Sequence, residues 1–213
     1  MTNYAILDLK VGNINSVINA CAYLGYNLEV VSAESFRSTY SHIILPGVGR
    51  FDKGSAALTP DIRAQIHQHV KAGSYLLGIC LGMQLLFDES EESKGQGLGL
   101  IPGKITKLAK PGIKLQLPRL GWKTVRYGDT YNGVLGKPRQ RSRYYFVHSY
   151  GYLPSPEDVS ELSIENKIVY DINDSLPITA SIEYNNVIGT QYHPEKSSAF
   201  GLDILNSFFS NCS

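Results

Sequence analysis

The sequence predicts an α/β fold in which helices flank a central, mostly parallel, mixed sheet. Three observations indicate this class: short β-rich runs alternate with helix-like segments, glycines follow these segments, and short alternating segments fill the second half. Strands that alternate with helices typically pair in parallel, and the loops at their carboxyl ends carry the functional residues. A chain of 213 residues with 43% hydrophobic side chains can form one such core. We therefore expect residues 1–213 to form a single domain.

The first half provides the predicted parallel strands and the helices between them. Each strand is a short run rich in apolar residues, and each helix has apolar residues three or four positions apart. The predicted strands are Tyr4-Ala5-Ile6-Leu7, Leu28–Val31, Ile43-Ile44-Leu45 and Tyr75-Leu76-Leu77-Gly78-Ile79. The predicted helices carry Val17, Ala20, Cys21 and Leu24 before Gly25, and Ile62, Ile66 and Val70 before Gly73.

The second half changes character from about Gly103. Short alternating segments such as Lys104-Ile105-Thr106-Lys107-Leu108 and Tyr144-Tyr145-Phe146-Val147-His148 are separated by Gly, Pro and Asn-Asp turns. This pattern predicts an additional antiparallel or mixed β section laid against the first half. A last helix is predicted over residues 200–209, and its apolar face consists of Leu202, Leu205, Phe208 and Phe209.

The charge balance and the apolar stretches exclude several classes of partner. There are 20 Lys and Arg against 19 Asp and Glu, a formal net charge of +1. Such a chain has no overall attraction for nucleic acid or acidic membranes, so we expect small-molecule or protein partners. The amino terminus lacks a basic n-region, and the longest apolar stretch, residues 75–87, is shorter than the roughly 20 residues of a membrane span. We therefore expect a cytoplasmic protein.

The cysteines do not form the pattern of a disulfide framework or a zinc site. They are three in number and far apart, at Cys21, Cys80 and Cys212. The sequence also lacks the phosphate-binding pattern GxxxxGK[ST], so we expect neither a metal nor a cofactor. Cys21 and Cys212 fit the usual role of a lone cysteine, which is to pack in the apolar interior.

Cys80 occupies the centre of the sharpest local motif, Gly78-Ile79-Cys80-Leu81-Gly82. The motif follows a predicted buried strand and precedes a helix-compatible run, Met83-Gln84-Leu85-Leu86-Phe87. This arrangement is typical of a nucleophile elbow, whose glycines permit a sharp turn from strand to helix. The helix N-terminus favours a thiolate, and the backbone N–H of Leu81 would stabilise an oxyanion. The alternative is a buried structural cysteine.

A possible base for this thiol is provided by His193-Pro194-Glu195. In an extended segment, residues two apart point to the same side, so Glu195 can orient the His193 ring. A carboxylate, an imidazole and a thiol together form a catalytic triad. The alternative for His193 is a hydrogen-bonded histidine without a catalytic role.

A third segment, Leu45-Pro46-Gly47-Val48-Gly49, ends a predicted strand. Its glycines allow unusual backbone dihedrals, so the N–H groups of Val48 and Gly49 can turn toward a developing oxyanion. A plain turn is the alternative.

Five ordered motifs lie between Pro46 and Ser197, within a set of matches that runs from Asp8 through the final helix. They are Pro46-Gly47-Val48-Gly49, Gly78-Ile79-Cys80-Leu81-Gly82-Met83-Gln84, Gly97-Leu98-Gly99-Leu100-Ile101-Pro102-Gly103, Tyr145-Phe146-Val147-His148-Ser149-Tyr150 and Gln191-Tyr192-His193-Pro194-Glu195-Lys196-Ser197. Together they resemble the class I (triad) glutamine amidotransferases and, within that family, the glutaminase subunits of imidazole glycerol phosphate synthase. The resemblance implies a flavodoxin-like amidotransferase fold.

The resemblance implies that the chain hydrolyses glutamine through a glutamyl thioester. Cys80 would attack the side-chain amide, backbone N–H groups near Val48 and Leu81 would hold the oxyanion, and His193, oriented by Glu195, would protonate the ammonia. The residues implied in glutamine binding are Gln84, Glu92, His148, Ser149 and Tyr150. The alternative for Glu92 is a solvated acidic helix end, because it closes the run Asp88-Glu89-Ser90-Glu91-Glu92.

The resemblance also implies a partner, a (β/α)₈ barrel cyclase that receives the ammonia for histidine biosynthesis. Free ammonia would largely become ammonium in water, so a sheltered transfer keeps it nucleophilic. The residues implied at the interface are Asn13, Trp122, Tyr145 and Lys196. Trp122 is the single tryptophan, and a core position on a strand is its alternative.

Two segments depart from the family pattern. Pro118-Arg119-Leu120-Gly121-Trp122-Lys123 stands where the family commonly has Pro-His-x-Gly-Trp-Asn, and Lys10-Val11-Gly12 lacks the usual glycine directly after Leu9. We expect Lys10, Arg119 and Lys123 in or near the docking face and away from the triad. These departures leave open a paralogous glutaminase that supplies another synthase, such as one amidating a surface-polysaccharide sugar. A stand-alone cysteine amidase or peptidase and a regulatory subunit with an inactive triad are further alternatives.

Overall fold

The computed structural model describes residues 4–32, 35–36, 39–110, 115–129, 131–137, 142–163, 168–171 and 178–211. Cys212, expected to be a packing residue, lies outside these ranges. The strands are β1 (Tyr4–Leu7), β2 (Leu28–Val31), β3 (His42–Gly47), β4 (Tyr75–Cys80), β5 (Glu89–Ser90), β6 (Lys104–Lys107), β7 (Arg119–Tyr127), β8 (Arg143–His148), β9 (Tyr150–Gly151), β10 (Ile168–Asp171), β11 (Thr179–Tyr184) and β12 (Val187–Thr190). The helices are α1 (Asn15–Tyr23), α2 (Phe51–Ala57), α3 (Pro60–Lys71), α4 (Leu81–Gln84), α5 (Pro156–Glu161) and α6 (Ser198–Asn211).

Among the described residues, nine strands form one mixed sheet in the order β2-β1-β3-β4-β12-β11-β10-β7-β8. The pairings from β2 to β12 are parallel, and those from β12 to β8 are antiparallel. A small sheet of β5, β6 and β9 stands apart from it. The α/β class with an additional antiparallel section is therefore confirmed.

The antiparallel section lies beside the parallel strands, and the prediction that it is laid against the first half is wrong. The physical reason is the parallel pairing of β12 with β4, in which Ile188 stands opposite Leu77. Because β12 adds to the open edge of β4, the strands that follow continue the same sheet.

Two apolar clusters lie on opposite faces of this sheet. One contains Phe51, Ile62 and Ile66, from α2 and α3. The other contains Val17 and Phe208, from α1 and α6. The central parallel strands are therefore covered on both faces, which explains why β3 and β4 are almost continuously apolar and buried.

The predicted elements of the first half are confirmed, and two local differences concern the site. α2 was not predicted, because this seven-residue helix contains Gly54 and lacks a long apolar periodicity. The helix predicted after the elbow shortens to the single turn of α4.

None of the described helices is long and apolar enough to span a membrane. The described residues also contain no group of three or more His, Cys, Asp and Glu side chains placed to hold a metal ion.

The closest backbone approach next to the elbow is at Gly82. A Cβ atom there would lie 1.8 Å from the carbonyl oxygen of Leu45 on β3. A backbone carbonyl within a central strand cannot move aside, so only glycine fits. α4 is thereby held directly against β3.

We predict that Gly82→Ala destabilises the fold by about 3 kcal/mol or more, because the new methyl overlaps a backbone atom. Urea unfolding measures the change. Gly128→Ala is the control: a Cβ at Gly128 meets no atom within 4 Å, so its effect is expected to stay within about 0.5 kcal/mol. Equal stability of the two variants would contradict the assigned packing.

Candidate active site

Cys80 lies at the junction of β4 and α4 in a strained backbone conformation. Its dihedral angles are φ 54° and ψ −109°, outside the regions that L-residues usually occupy. Such strain costs on the order of 1–3 kcal/mol and is found where the surrounding structure imposes it for a function. A Cβ at Gly78 would lie 2.7 Å from the Gly82 carbonyl oxygen, so the elbow requires both glycines. The predicted sharp turn from strand to helix at Cys80 is present in the structure.

His193 and Glu195 form the predicted imidazole–carboxylate pair. The distance from His193 Nδ1 to Glu195 Oε1 is 2.8 Å, and both side chains are buried. The segment is not extended throughout as expected: His193 is extended, but Pro194–Lys196 forms a 3₁₀ turn. The turn folds the carboxylate back onto the ring. A carboxylate only accepts hydrogen bonds, so Nδ1 carries a proton and Nε2 faces away from Glu195.

The electrostatics of His193 favour its protonated form. Burial lowers the pKa of His193, but interactions with Cys80 and Glu195 outweigh this effect and raise the pKa to about 9. Nε2 of His193 is buried and makes no standard hydrogen bond to any described residue. The Cys80 thiol is nevertheless close enough to raise the pKa of the ring. The arrangement is suited to a thiolate–imidazolium pair.

His148 has the opposite charge preference. Burial, which is the largest cause, and the nearby Arg119 and His193 together outweigh a hydrogen bond to the Tyr150 carbonyl and lower the pKa of His148 to about 4. That hydrogen bond, from Nδ1 to Tyr150 O at 2.8 Å, leaves Nε2 of the neutral ring as an acceptor. His148 is therefore suited to accepting a hydrogen bond and unsuited to holding a charge.

A cleft of about 340 Å³ opens above Cys80. Every residue implied in glutamine binding or oxyanion stabilisation lines it, and Pro118 and Val147 line it as well. The predicted lining residues are Val48, Gly49, Leu81, Gln84, Glu92, His148, Ser149 and Tyr150. His193 and Glu195 line a smaller cavity of about 20 Å³ together with Asn13 and Val48.

Val48 does not present the predicted oxyanion donor in this conformation. Its N–H donates a hydrogen bond to the Val11 carbonyl at 3.0 Å, so it is engaged by the loop after β1. Gly49 is exposed, and its φ of +99° is the kind of unusual backbone dihedral that was expected of this glycine. Leu81 begins α4, and its N–H is one of the donors that a helix leaves without an internal partner.

Glu92 is positioned by the start of α2. Its Oε2 accepts a hydrogen bond from the Phe51 N–H at 2.7 Å. The alternative of a solvated acidic helix end is wrong, because Glu89–Ser90 form β5 and the run contains no helix. Glu92 therefore lies in the cleft with a fixed carboxylate.

Gln191 makes contacts that the sequence pattern did not single out. It is fully buried, its Oε1 accepts from Gln84 Nε2 at 3.1 Å, and its Nε2 lies 4.0 Å from Cys80 Sγ. The available signal was its position two residues before His193 in the same motif.

The residues implied at the interface are all exposed or half-buried. Trp122 stands opposite Tyr145 in the β7–β8 pairing, with ring centroids 6.1 Å apart. Trp122 is 41% exposed, so the alternative of a core tryptophan is wrong. Asn13 and Lys196 are also exposed. Tyr145 is bound to the triad segment, because its carbonyl accepts from the His193 N–H at 2.9 Å.

The departures from the family pattern lie in different surroundings. Arg119 is buried and stands opposite His148, so its side chain is not itself part of an exposed surface. Alternation along β7 turns Arg119 to the side opposite Leu120. Lys123 is half-buried, and Lys10 is exposed and pairs with Asp8 at 2.6 Å. Cys21 is buried, and burial raises its pKa to about 12, as expected of a packing residue.

Comparison with known protein families matches residues 5–212 to glutamine amidotransferase class-I. The chain belongs to this family. The amidotransferase is 40% identical over 214 residues to the imidazole glycerol phosphate synthase subunit HisH of Moorella thermoacetica, covering 98% of this chain and 94% of the relative. It is 38% identical over 216 residues to the same subunit of Geobacillus thermodenitrificans, covering 98% and 95%.

Solved structures share the fold of the amidotransferase at low sequence identity. A chain in the structure of PurLQS from Thermotoga maritima aligns over 100% of both chains with a TM-score of 0.73 and 19% identity. A second structure, described as a glutamine amidotransferase, aligns over 98% of both chains with a TM-score of 0.70 and 17% identity.

We predict that Glu195→Gln lowers the pKa of His193 from about 9 toward its ordinary value of 6.5. A raised histidine pKa stabilises the folded state fully below about pH 6.5, and this contribution is lost as the pH rises through about 9. The difference in stability between Glu195→Gln and the parent chain is therefore expected to be largest near pH 6.5 and to shrink as the pH rises toward 9.

NMR titration of the His193 ring protons measures the pKa, and urea unfolding across the same pH range measures the stability. Glu29→Gln, which changes an exposed carboxylate on β2, is the control and is expected to leave both unchanged. An unmoved His193 titration in Glu195→Gln would refute the assigned pair.

Proposed function

We propose that this amidotransferase is the glutaminase subunit of imidazole glycerol phosphate synthase, which hydrolyses glutamine and passes the ammonia to a cyclase subunit. One observation carries the proposal: a thiol in a strained elbow and an imidazole–carboxylate pair meet beside the cleft that holds every predicted glutamine-binding residue. The curated relatives are named as subunits of that synthase, and the family is one of glutaminases.

The first half of the proposed reaction forms a glutamyl thioester. The Cys80 thiolate attacks the side-chain amide carbon of glutamine, and the carbonyl oxygen becomes an oxyanion. Protonated His193 gives its Nε2 proton to the amide nitrogen, the C–N bond breaks, and ammonia leaves. The raised pKa of His193 keeps this proton available at neutral pH.

The second half releases glutamate. His193, now neutral, takes a proton from a water molecule as that water attacks the thioester carbon. The C–S bond breaks, which restores the thiolate and the imidazolium, and the new carboxyl group loses its proton to solvent. Glu195 holds the His193 ring in one tautomer through both halves.

The oxyanion site is incomplete in the isolated chain. Because the Val48 N–H is bonded to Val11, the predicted donors that remain are the N–H groups of Leu81 and Gly49. Loss of one such donor commonly reduces kcat by about 10²–10³. We therefore propose that the isolated chain hydrolyses glutamine slowly and that partner binding near the Val11 loop raises the rate.

The proposed docking surface is the exposed face of β7 and β8. Leu120 stands opposite Val147 and Trp122 opposite Tyr145, and all but the half-buried Tyr145 are large exposed apolar residues. Such a patch on the outside of an edge pairing is typical of an interaction site. We propose that a (β/α)₈ barrel cyclase covers it and shelters the ammonia from water.

The whole chain is proposed to act as one amidotransferase domain in the cytoplasm. The nine-stranded sheet, as far as it is described, runs from β1 near the amino terminus to strands of the second half. Cys21 and Cys80 are both free, as is usual in a reducing compartment.

We predict that mixing this chain with the histidine-pathway cyclase yields glutamine-dependent imidazole glycerol phosphate, and that Cys80→Ala abolishes this product. The variant removes the nucleophile but is expected to keep its melting temperature and to leave ammonia-dependent cyclase turnover intact. Cys21→Ala is the matched control and is expected to remain active, since Cys21 is buried away from the cleft.

Unchanged glutamine turnover in Cys80→Ala would overturn the nucleophile assignment. Glutaminase activity without any imidazole product would instead indicate a paralogue that supplies a different synthase.

We predict that Trp122→Ala weakens cyclase binding by about tenfold or more, the size of an interface hot spot, with little change in melting temperature. The physical reason is that Trp122 keeps 41% of its surface exposed, on the outer face of the β7–β8 pairing, where a partner can cover it. Titration calorimetry measures the Kd. Tyr23→Ala, which removes an exposed aromatic ring from α1, is the control and is expected to bind normally. A large fall in melting temperature with unchanged Kd would count against the docking surface.

A further inference from the structure

We propose that Gln191 is a positioning residue for the Cys80 thiolate, to which it donates a hydrogen bond. This bond is the last in a hydrogen-bond chain that begins at Gln84 in the glutamine cleft and passes through Gln191 to Cys80. This inference rests on the proposed function, because it takes Cys80 as the nucleophile. It adds a role for Gln191 that the triad does not contain.

The direction of this hydrogen-bond chain follows from its first acceptor, the carbonyl oxygen of Tyr150. Gln84 Nε2 lies 3.2 Å from the carbonyl oxygen of Tyr150, and a backbone carbonyl only accepts. The amide of Gln84 must therefore present its NH₂ group at this point. The second proton of that group is directed at Gln191 Oε1, 3.1 Å away.

The orientation of Gln191 is determined in turn. With its oxygen accepting from Gln84, its NH₂ group is the end that lies 4.0 Å from Cys80 Sγ. An opposite orientation would place two NH₂ groups against each other and an oxygen lone pair against the sulfur. Neither side chain can rotate away at low cost, because Gln191 is fully buried and Gln84 is 6% exposed.

The position of Gln191 suits it to a charged sulfur. A distance of 4.0 Å is at the outer limit of an N–H···S contact with a neutral thiol, and a thiolate attracts the donor more strongly. The Gln191 backbone is held by a hydrogen bond from its N–H to the Ala180 carbonyl at 2.8 Å. His193, two residues later, approaches the same thiol, so the sulfur has two N–H groups as neighbours.

The hydrogen-bond chain also connects the proposed substrate-binding cleft with the nucleophile. Gln84 lines the cleft and contacts Gln191, which contacts Cys80. Because both protons of the Gln84 NH₂ group are used inside the protein, its Oε1 is the atom left to accept from a ligand in the cleft. A bound amino group would polarise the Gln84 amide and strengthen the donor that Gln191 presents to the sulfur.

The test is the pH profile of Cys80 alkylation by iodoacetamide in the full chain without glutamine, with Cys80→Ala subtracted as background. Gln191→Met keeps the approximate volume and removes the donor. We expect the rising limb of the rate–pH profile to move to higher pH by about one unit. This shift corresponds to a change of about tenfold in the protonation equilibrium of the thiol, the size expected for the loss of one charge-assisted hydrogen bond. Gln191→Glu, which places an oxygen against the sulfur, is expected to move it further in the same direction.

Thr190→Val is the matched control. Thr190 is the buried neighbour of Gln191, and its hydroxyl makes no hydrogen bond to any described residue, so the isosteric valine is expected to leave the profile unchanged. The kinetic counterpart in the cyclase complex is a fall in kcat for Gln191→Met that exceeds the change in KM.

Several outcomes distinguish this inference from the proposed function. Profiles of folded Gln191→Met and Gln191→Glu that coincide with the parent would overturn the role of Gln191 alone, as would a change in KM or melting temperature without a change in the profile. If one of the two variants fails to fold, the profile of the other decides. A parent chain that neither hydrolyses glutamine nor shows Cys80-dependent alkylation would overturn both.

Discussion

The site depends on one backbone constraint, the turn from β4 into α4 at Cys80. The turn holds Cys80 at φ 54° and is possible only because Gly78 and Gly82 let the chain fold back against β3. Strain of this kind persists only when packing enforces it, and here the apolar clusters on both faces of the sheet do so. The stability of the fold thus maintains an unfavourable conformation that exposes one sulfur atom to the cleft.

Electrostatics then assign different states to similar groups. His193 and His148 are both buried, yet interactions with Glu195 and Cys80 favour a charged ring in the first, and burial favours a neutral ring in the second. Cys21 and Cys80 also have different surroundings, since Cys21 packs among apolar side chains while Cys80 lines a cleft. Residue type therefore decides little until the neighbours are known.

The sequence was informative where a local pattern determines the structure. The strands β1, β3 and β4 could be predicted because burial on both faces produces apolar runs, and the elbow because its glycines frame a single cysteine. Contacts between distant segments left no such pattern. The Val48 N–H is turned by Val11 from another loop, Arg119 is buried by its pairing with His148, and Gln191 gains its contacts from two other elements. These features depend on register and side-chain packing, which a single sequence does not display.

The placement of β12 beside β4 has a consequence for how the protein matures. Cys80 ends β4, but His193 follows β12, which can pair with β4 only after most of the chain has been synthesised. A nascent chain that has completed the elbow therefore holds the proposed nucleophile without its proposed base. Because the proposed reacting pair is assembled by one of the longest-range pairings in the sheet, we expect a partly folded chain to release no ammonia. Hydrolytic competence thus reports that the two halves of the sheet have joined.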